Sequence, residues 1–407
     1  MRILLHSPYY APELISIGKY NAEMASWLRR RGHDVRVFTA APHYPSWSVA
    51  EGYSAWQYRH EVIDGVPIWR CPAWIPSRPG AAKRVLFSLT HLLSSLPLLL
   101  WQWRWKPQIA MAVEPPLLSF APAWMAARLC GARTWLHVQD LEVDAAFELG
   151  HMRGAAPRRW ALRLESALLR RADRVSTISS RMAGRLLAKG LAIERVLLVP
   201  NWADELPPDP PGVDYRRQLG LRDGQRLALY AGNMAAKQGL ETVLAAAALL
   251  QRREDIVFVL VGEGPARASL QAAAQRLARV LFLPLQPYAQ LGALLRGADL
   301  HLLPQRAAAA DLVMPSKLGG MFASGRPTVA GAHADTELAQ VMQGRGVVVP
   351  PEDAAALAAA IEALCDDPAR AAQLGAAALS HARAEMDRDT VLQRLELQML
   401  ELIAAKG

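Results

Sequence analysis

Cysteine is scarce and scattered. Cys71, Cys130 and Cys365 are the only three in 407 residues, which excludes a disulfide scaffold and a cysteine-cluster zinc site. As lone thiols they suit core packing better than nucleophilic work. The phosphate-cradling pattern GxxxxGK(S/T) is missing, and so is His-Glu-x-x-His. Gly262-Glu263-Gly264 begins like a dinucleotide fingerprint, but Arg267 stands at the third glycine position, so NAD binding is not expected. Asp140, Glu142 and Asp144 form an acidic run with no supporting ligands elsewhere, and no metal or cofactor is expected. The opening MRILLHSPYY holds too short an apolar run for a signal peptide and no small-residue cleavage site. It reads as a first buried strand, and the expected compartment is the cytoplasm.

Acidic charge is in deficit. Lys plus Arg number 46 against 37 Asp plus Glu, a formal net charge of +9. That balance favours an anionic partner: nucleic acid, anionic lipid or a phosphorylated ligand. With 52% hydrophobic and 20% charged residues the chain buries large cores and is no disordered tail. Its length suits two domains better than one.

Short apolar runs alternate with helical patterns in both halves. In the first, Arg2–His6, Asp34–Thr39, Ile109–Val113, Thr134–Gln139, Arg174–Ile178 and Val196–Val199 read as strands, and Val62–Cys71 as a hairpin around Asp64-Gly65. Helical spacing appears over Gly18–Arg31, Leu117–Leu129, Pro157–Arg171 and Ser180–Lys189. PNWADELPPDPP, with five prolines in twelve residues, reads as a linker. The pattern then restarts: strands at Arg226–Tyr230, Ile256–Val261, Val280–Leu283, Leu300–Leu303, Thr328–Ala330 and Val347–Val349 alternate with helices, and an amphipathic helix closes the chain from Thr390 to Ala404. The expected fold is α/β: two doubly wound, mostly parallel-sheet domains facing a central cleft, with ligands at the carboxyl ends of the strands. The expected boundaries are an N-terminal domain over 1–200, the linker over 201–211, a second domain over 212–386 and a terminal helix over 387–407 that crosses back to the first domain.

Val85–Trp103 is nearly long enough to span a bilayer but carries His91, three serines, Gln102 and Pro97. A buried helix of the first domain, with one edge facing lipid, is expected there. Its basic flanks and Trp101, Trp103 and Trp105 equally suit a helix lying on an anionic leaflet.

Four segments carry chemistry. In APELISIGKY, Gly18 lets a backbone approach a phosphate closely at a helix start, with Lys19 adding charge. YAGNMAAKQG offers Gly232, Asn233 as a donor and Lys237 as a partner for a diphosphate. Asp311–Pro327 places Ser316 and Lys317 at a helix start. His137-Val138-Gln139-Asp140 ends a parallel strand, the place for catalytic groups in this architecture. Aromatic residues crowd the first half. Among them Tyr10, Tyr44 and Trp47, with His43, are expected to stack on a sugar acceptor.

Together YYAPELISIGKY, GHDVRVFTAAPHYPSW, VQDLEVD, YAGNMAAKQGLE, LVGEGP and PSKL-x5-SGRP, in that order over nearly the whole chain, resemble the retaining GT-B glycosyltransferases of family 4. Within that family they look most like the bacterial exopolysaccharide enzymes of the colanic-acid fucosyltransferase type. The resemblance implies a nucleotide-sugar donor, GDP-fucose or a UDP-sugar. It further implies a polyprenyl-diphosphate-linked oligosaccharide acceptor, no nucleic acid and a peripheral position on the inner membrane. Gly18 then faces the diphosphate, which Lys237 and Asn233 neutralise. Gly262, Gly264, Leu283 and Leu285 line the base and ribose, Ser316 and Lys317 face phosphate, and Asp140 with His137 sits beside the reacting carbon. The family's two glutamates eight apart are missing: Gly320 stands at the second position and Leu312 at the first, where Asp311 is the nearest substitute. A nucleotide-sugar 2-epimerase of the same fold, or a non-catalytic sugar-binding membrane component, are the alternatives.

Overall fold

The structure is a computed structural model that describes residues 1–13, 16–78, 80–142, 155–203, 205–235, 238–307 and 315–405. The chain divides into two compact units, Met1–Pro200 with Leu392–Gly407, and Asn201–Val391.

Unit 1 is built on eight strands: β1 (Arg2–His6), β2 (Asp34–Thr39), β3 (Arg59–Ile63), β4 (Val66–Arg70), β5 (Ile109–Glu114), β6 (Arg133–Val138), β7 (Arg174–Thr177) and β8 (Val196–Leu198). Their order is β3-β4-β2-β1-β5-β6-β7-β8. All pairs are parallel except the edge hairpin β3–β4, which turns at Asp64-Gly65 as the sequence predicts. The strand order reverses at β1, between β2 and β5. The described helices are α1 (Ser16–Arg30), α2 (Ala81–Trp101), α3 (Phe120–Cys130), α4 (Ala155–Leu169) and α5 (Ser180–Ala188). Strand β5 is buried end to end, the mark of a central parallel strand covered on both faces.

Unit 2 carries β9 (Arg226–Ala231), β10 (Ile256–Val261), β11 (Val280–Leu283), β12 (Leu300–Leu303), β13 (Thr328–Gly331) and β14 (Gly346–Val349), all parallel, in the order β11-β10-β9-β12-β13-β14. Its described helices are α6 (Tyr215–Gln218), α7 (Leu240–Leu249), α8 (Arg267–Ala273), α9 (Leu291–Gly297), α10 (Lys317–Ala323), α11 (Glu337–Met342), α12 (Ala354–Asp366) and α13 (Pro368–Glu385). Alternation along the strands feeds two cores. Ala228, Tyr230, Ile256, Phe258 and Leu260 pack with Leu240 of α7 and Ile361 of α12. Leu227, Leu229, Val257 and Val259 pack on the opposite face with Tyr215 and Leu294.

The last helix, α14 (Arg388–Ala404), buries Leu392, Leu395, Met399 and Leu402 at helical spacing. Glu396 on its inner face pairs with His33 at 2.6 Å and Arg31 at 3.2 Å, which ties Leu392–Gly407 to unit 1.

Helix α2 is buried along one face, where Phe87, Ser88, His91, Ser95 and Leu99 lie, and open along the other, where Val85, Leu86, Leu89, Leu93 and Trp101 are 40–66% exposed. Among the described residues, Ala82–Arg104 is the stretch long and apolar enough to cross a membrane by length and composition.

Candidate active site

The strand order of unit 2 reverses between β9 and β12, and the loops at the carboxyl ends of β9 and β10 meet there. Gly232 N–H donates to Val261 O at 2.8 Å, Met234 N–H to Glu263 O at 2.8 Å, and Ala266 N–H to Met234 O at 2.9 Å. This lacing brings backbone against backbone, so only glycine fits. A Cβ on Gly262 collides with the Gly232 carbonyl, and one on Gly264 falls 2.5 Å from Met234 O and 2.6 Å from Asn233 Oδ1. All three glycines also hold left-handed φ values, 146° at Gly232, 141° at Gly262 and 152° at Gly264.

Lys317, the first residue of α10, reaches into this loop. Its Nζ donates to Tyr230 Oη at 2.6 Å and Gln238 Oε1 at 3.2 Å, and lies 4.4 Å from the Tyr230 ring centroid. A Cβ on Gly232 has the same Nζ at 2.7 Å. Tyr230 Oη in turn donates to Asn233 O at 2.6 Å. The ammonium is therefore held beside the bare Gly232 backbone by two neutral oxygens, Tyr230 Oη and Gln238 Oε1.

Gly232, Asn233, Gly262, Gly264 and Lys317 are thus brought together as the sequence predicts. Leu283 joins them through its carbonyl, which accepts from Gly262 N–H at 3.1 Å. Leu285 is 69% exposed, and Ser316 is exposed at the start of α10 without a side-chain cap bond. Lys237 and Asp311 lie outside the described residues.

Gly319 and Gly320 behave differently from each other. A Cβ on Gly319 meets Ala203 Cβ at 2.6 Å, whereas one on Gly320 meets only Leu295 Cδ1 at 3.4 Å. Gly319→Ala is expected to cost about 2 kcal/mol by overpacking. Gly320→Ala is expected to gain about 0.5 kcal/mol by stiffening the unfolded chain. Urea unfolding of the two variants checks the opposite signs.

In unit 1, β6 delivers His137 and the residues after it. His137 is buried, its Nδ1 2.9 Å from Ser176 Oγ, which also accepts from Trp135 Nε1 at 2.8 Å. Burial lowers its pKa to about 4, so the ring is neutral. Asp140, two residues past the strand, is exposed. Of the pair, Asp140 is open to solvent and His137 is buried.

Sequence reasoning missed two carboxyls. Glu114, at the end of β5, is fully buried and neither carboxyl oxygen has a hydrogen-bond partner among the described residues. Burial, then the nearby charges of Glu165, Glu142 and Asp140, hold it well above the usual carboxylate range. An acid ending an otherwise apolar strand was the signal available. Glu13 is the second. Its Oε1 accepts from His43 N–H and Tyr44 N–H, each at 3.0 Å, pinning the loop after β1 to the loop after β2.

Glu13 also alters the reading of Gly18. A Cβ on Gly18 has Glu13 Oε2 at 2.7 Å, so in this structure the glycine makes room for a carboxyl, where the sequence suggests a phosphate. Lys19 is engaged too, 3.8 Å from Glu23 and over the Tyr20 ring. The four acceptor candidates are placed unevenly. Tyr10, His43 and Trp47 are at most 8% exposed; His43 and Trp47 pack with Phe87, at 4.9 and 5.6 Å between centroids. Tyr44 is the partly exposed one. Three of the four rings are therefore packing groups, and the loop after β2 folds His43 and Trp47 inward onto Phe87 of α2.

Burial raises the Glu13 pKa from about 4.5 to about 7, against the pull of its two backbone N–H groups. A folded pKa above the unfolded one means the stability this group contributes is full below about 4.5 and is lost as pH rises through 7. Glu13→Gln keeps the acceptor oxygen and removes the titration. Relative to this variant, the wild type is expected to lose about 3 kcal/mol between pH 4.5 and 8. A constant difference in unfolding free energy across that range contradicts the assignment.

Two doubly wound units in one chain, one with a glycine-laced loop and an ammonium at its switch point, define a GT-B glycosyltransferase. Residues 17–202 match the family described as Glycosyl transferase 4-like domain, and residues 225–367 match Glycosyl transferases group 1. The putative colanic acid biosynthesis glycosyl transferase WcaI of Escherichia coli (strain K12) is 42% identical over 373 residues, 89% of this chain and 91% of that protein. Among solved structures, sucrose-phosphate synthase from Thermosynechococcus elongatus superposes with a TM-score of 0.74 at 20% identity, over 99% of both chains. Anabaena Alr3699/HepE in complex with UDP gives 0.71 at 16% identity, over 98% of this chain and 100% of that one; at such identities the likeness is one of fold. The chain belongs to the family 4 GT-B glycosyltransferases.

Proposed function

We propose that this enzyme moves a sugar from a nucleotide diphosphate to a polyprenyl-diphosphate-linked oligosaccharide in exopolysaccharide assembly. Transfer proceeds with retention of configuration at the cytoplasmic face of the membrane. The observation that carries the donor reading is the Lys317 ammonium held against Gly232 by Tyr230 and Gln238. The colanic acid relative supports the pathway, and the net charge of +9 suits an anionic lipid-linked acceptor.

Breaking a glycosyl–phosphate bond builds negative charge on the diphosphate and positive charge on the sugar ring. Lys317 answers the first, as a donor already positioned by Tyr230 and Gln238, and Gly232, Gly262 and Gly264 let the diphosphate come close to it. Lys237 adds a second cation in this reading. Asp140, exposed at the end of β6, answers the ring charge or orients the acceptor hydroxyl. His137 holds the strand end behind it in neutral form.

Labelled GDP-fucose, UDP-glucose and UDP-galactose are offered with and without a lipid-linked oligosaccharide fraction, in the presence of EDTA. Label from one donor is expected in the lipid fraction, with the anomeric configuration of the donor kept in the product. An epimerised nucleotide sugar formed without acceptor, or binding without turnover on any acceptor, overturns the proposal.

A further inference from the structure

Helix α2 is inverted relative to a core helix. Its polar residues point inward: Ser88, His91, Ser95 and Gln102 are all buried. The two serines and Gln102 are also hydrogen-bonded there. Ser88 Oγ donates to Arg84 O at 2.8 Å and Ser95 Oγ to Leu92 O at 3.1 Å. Gln102 Oε1 accepts from Arg36 Nη1 at 2.8 Å, and its amide donates to Leu98 O at 3.0 Å. His91 stacks on His6 with centroids 5.0 Å apart. This face is fixed to unit 1, so the helix neither rolls to bury its leucines nor stands surrounded by lipid.

The outward face is apolar. Leu86, Leu89, Leu93 and Pro97 are exposed at spacings of three and four, and Trp101 and Trp103 continue the line. At ~1.5 Å per residue, Leu86 to Trp101 runs roughly 22 Å. Helix α3, packed alongside, exposes Met125 and Leu129. Water-soluble monomers seldom leave so long an apolar stripe uncovered.

Charge identifies what covers it. From Gly65 to Val113 the sequence holds no Asp or Glu. Arg78, Lys83 and Arg84 are exposed at one end of the stripe, and Arg104 and Lys106 at the other. An apolar line with a cation cluster and tryptophans at its margin matches a plane of anionic headgroups over hydrocarbon. We propose that α2 lies flat in the surface of an anionic bilayer, leucines in the acyl boundary and basic groups on lipid phosphates. The choice of occupant rests on the lipid-linked acceptor reading above; the inversion of the helix does not.

The test is co-sedimentation of the full chain with phosphatidylcholine vesicles, with and without phosphatidylglycerol, at low and high salt. The wild type is expected on the anionic vesicles, and less so as salt rises. Leu89→Glu/Leu93→Glu is expected to weaken partition by about tenfold or more, and Lys83→Glu/Arg104→Glu to weaken it most at low salt. Both pairs face solvent, so melting temperatures are expected to stay at the wild-type value, which separates lost docking from lost folding. Wild-type chain that stays in solution overturns the proposal, as does Leu89→Glu/Leu93→Glu binding as tightly as wild type. So does a dimer in sedimentation velocity that this double variant abolishes while vesicles capture nothing. Melting shifts with UDP and GDP are read on the same samples. Vesicle docking without any nucleotide shift counts against the glycosyl-transfer reading and leaves the surface standing.

Discussion

Lowering the pH from 7 to 5 is expected to unfold this protein. Among the described residues five histidines are buried: His6, His43, His91, His137 and His301. Burial strips each ring of the water that an imidazolium needs. It lowers His6, His43 and His137 to about 4 and His301 to about 3, and it holds His91 well below the ordinary value. Hydrogen bonds to Ser119 O and Ala41 O, both at 2.8 Å, offset this only in part for His6 and His43. A folded pKa below the unfolded 6.5 means the stability each ring contributes is present above 6.5 and is lost as pH falls toward 4, because the unfolded chain takes up protons that the fold refuses. At pH 5 each of the four rings with a value costs about 2 kcal/mol relative to neutral pH, and His91 acts in the same direction. Together they amount to about 8 kcal/mol, the size of a whole domain's stability. Glu13 works the other way over the same interval, by about 2–3 kcal/mol. So do Glu114 and Glu142, whose burial also holds them above the ordinary carboxylate range. Five rings against three carboxyls is expected to leave a net loss. Unit 1 holds four of the five rings and unit 2 holds His301, so unit 1 is expected to unfold first, in a transition that is not two-state. Tryptophan fluorescence followed from pH 7.5 to 4.5 checks this, with a midpoint expected near 5 to 6. Retained native fluorescence at pH 4.5 contradicts it.

Replacing Lys317 by methionine is expected to lower kcat/KM about a hundredfold or more, the usual effect of removing one preorganised donor from a developing oxyanion. The fold is expected to survive, because Tyr230 Oη keeps its bond to Asn233 O and the methionine stem replaces the apolar part of the lysine. Lys317→Arg is expected to fail as a rescue. The guanidinium is wider than an ammonium, and the lysine tip already sits where a Cβ on Gly232 would be. Steady-state transfer from the productive donor, with melting temperatures measured beside it, separates lost charge stabilisation from lost fold. Full activity in Lys317→Met removes the residue from the donor site.

The strands of this protein are plain in the sequence because parallel strands are apolar throughout. IAMAVE and IVFVLV became β5 and β10, and the glycines after β9 and β10 marked the laced loops. Short helices without an amphipathic period, α6 and α11, left no comparable trace. Which side of helix α2 meets the core was not legible, because hydrophobicity shows how apolar a helix is but not which side packs; the buried serines, His91 and Gln102 are a tertiary fact. Glu13 was invisible for the same reason, since an isolated acid in a loop reads as solvated, whereas Glu114 left the weak signal of an acid ending an apolar strand. The Gly18 reading changed with Glu13: the sequence showed that something approaches that glycine, and the fold identifies it as a carboxyl.

The account rests on unit 2 holding a nucleoside diphosphate at the Gly232–Gly264 loops. Melting of the purified protein with UDP, GDP, ADP or NAD at equal concentration tests this most directly, because a ligand that binds only the folded state raises apparent stability by mass action. A rise with UDP or GDP, absent with NAD and lost in Lys317→Met, is the predicted result. No rise with any nucleoside diphosphate, or a rise with NAD alone, contradicts it.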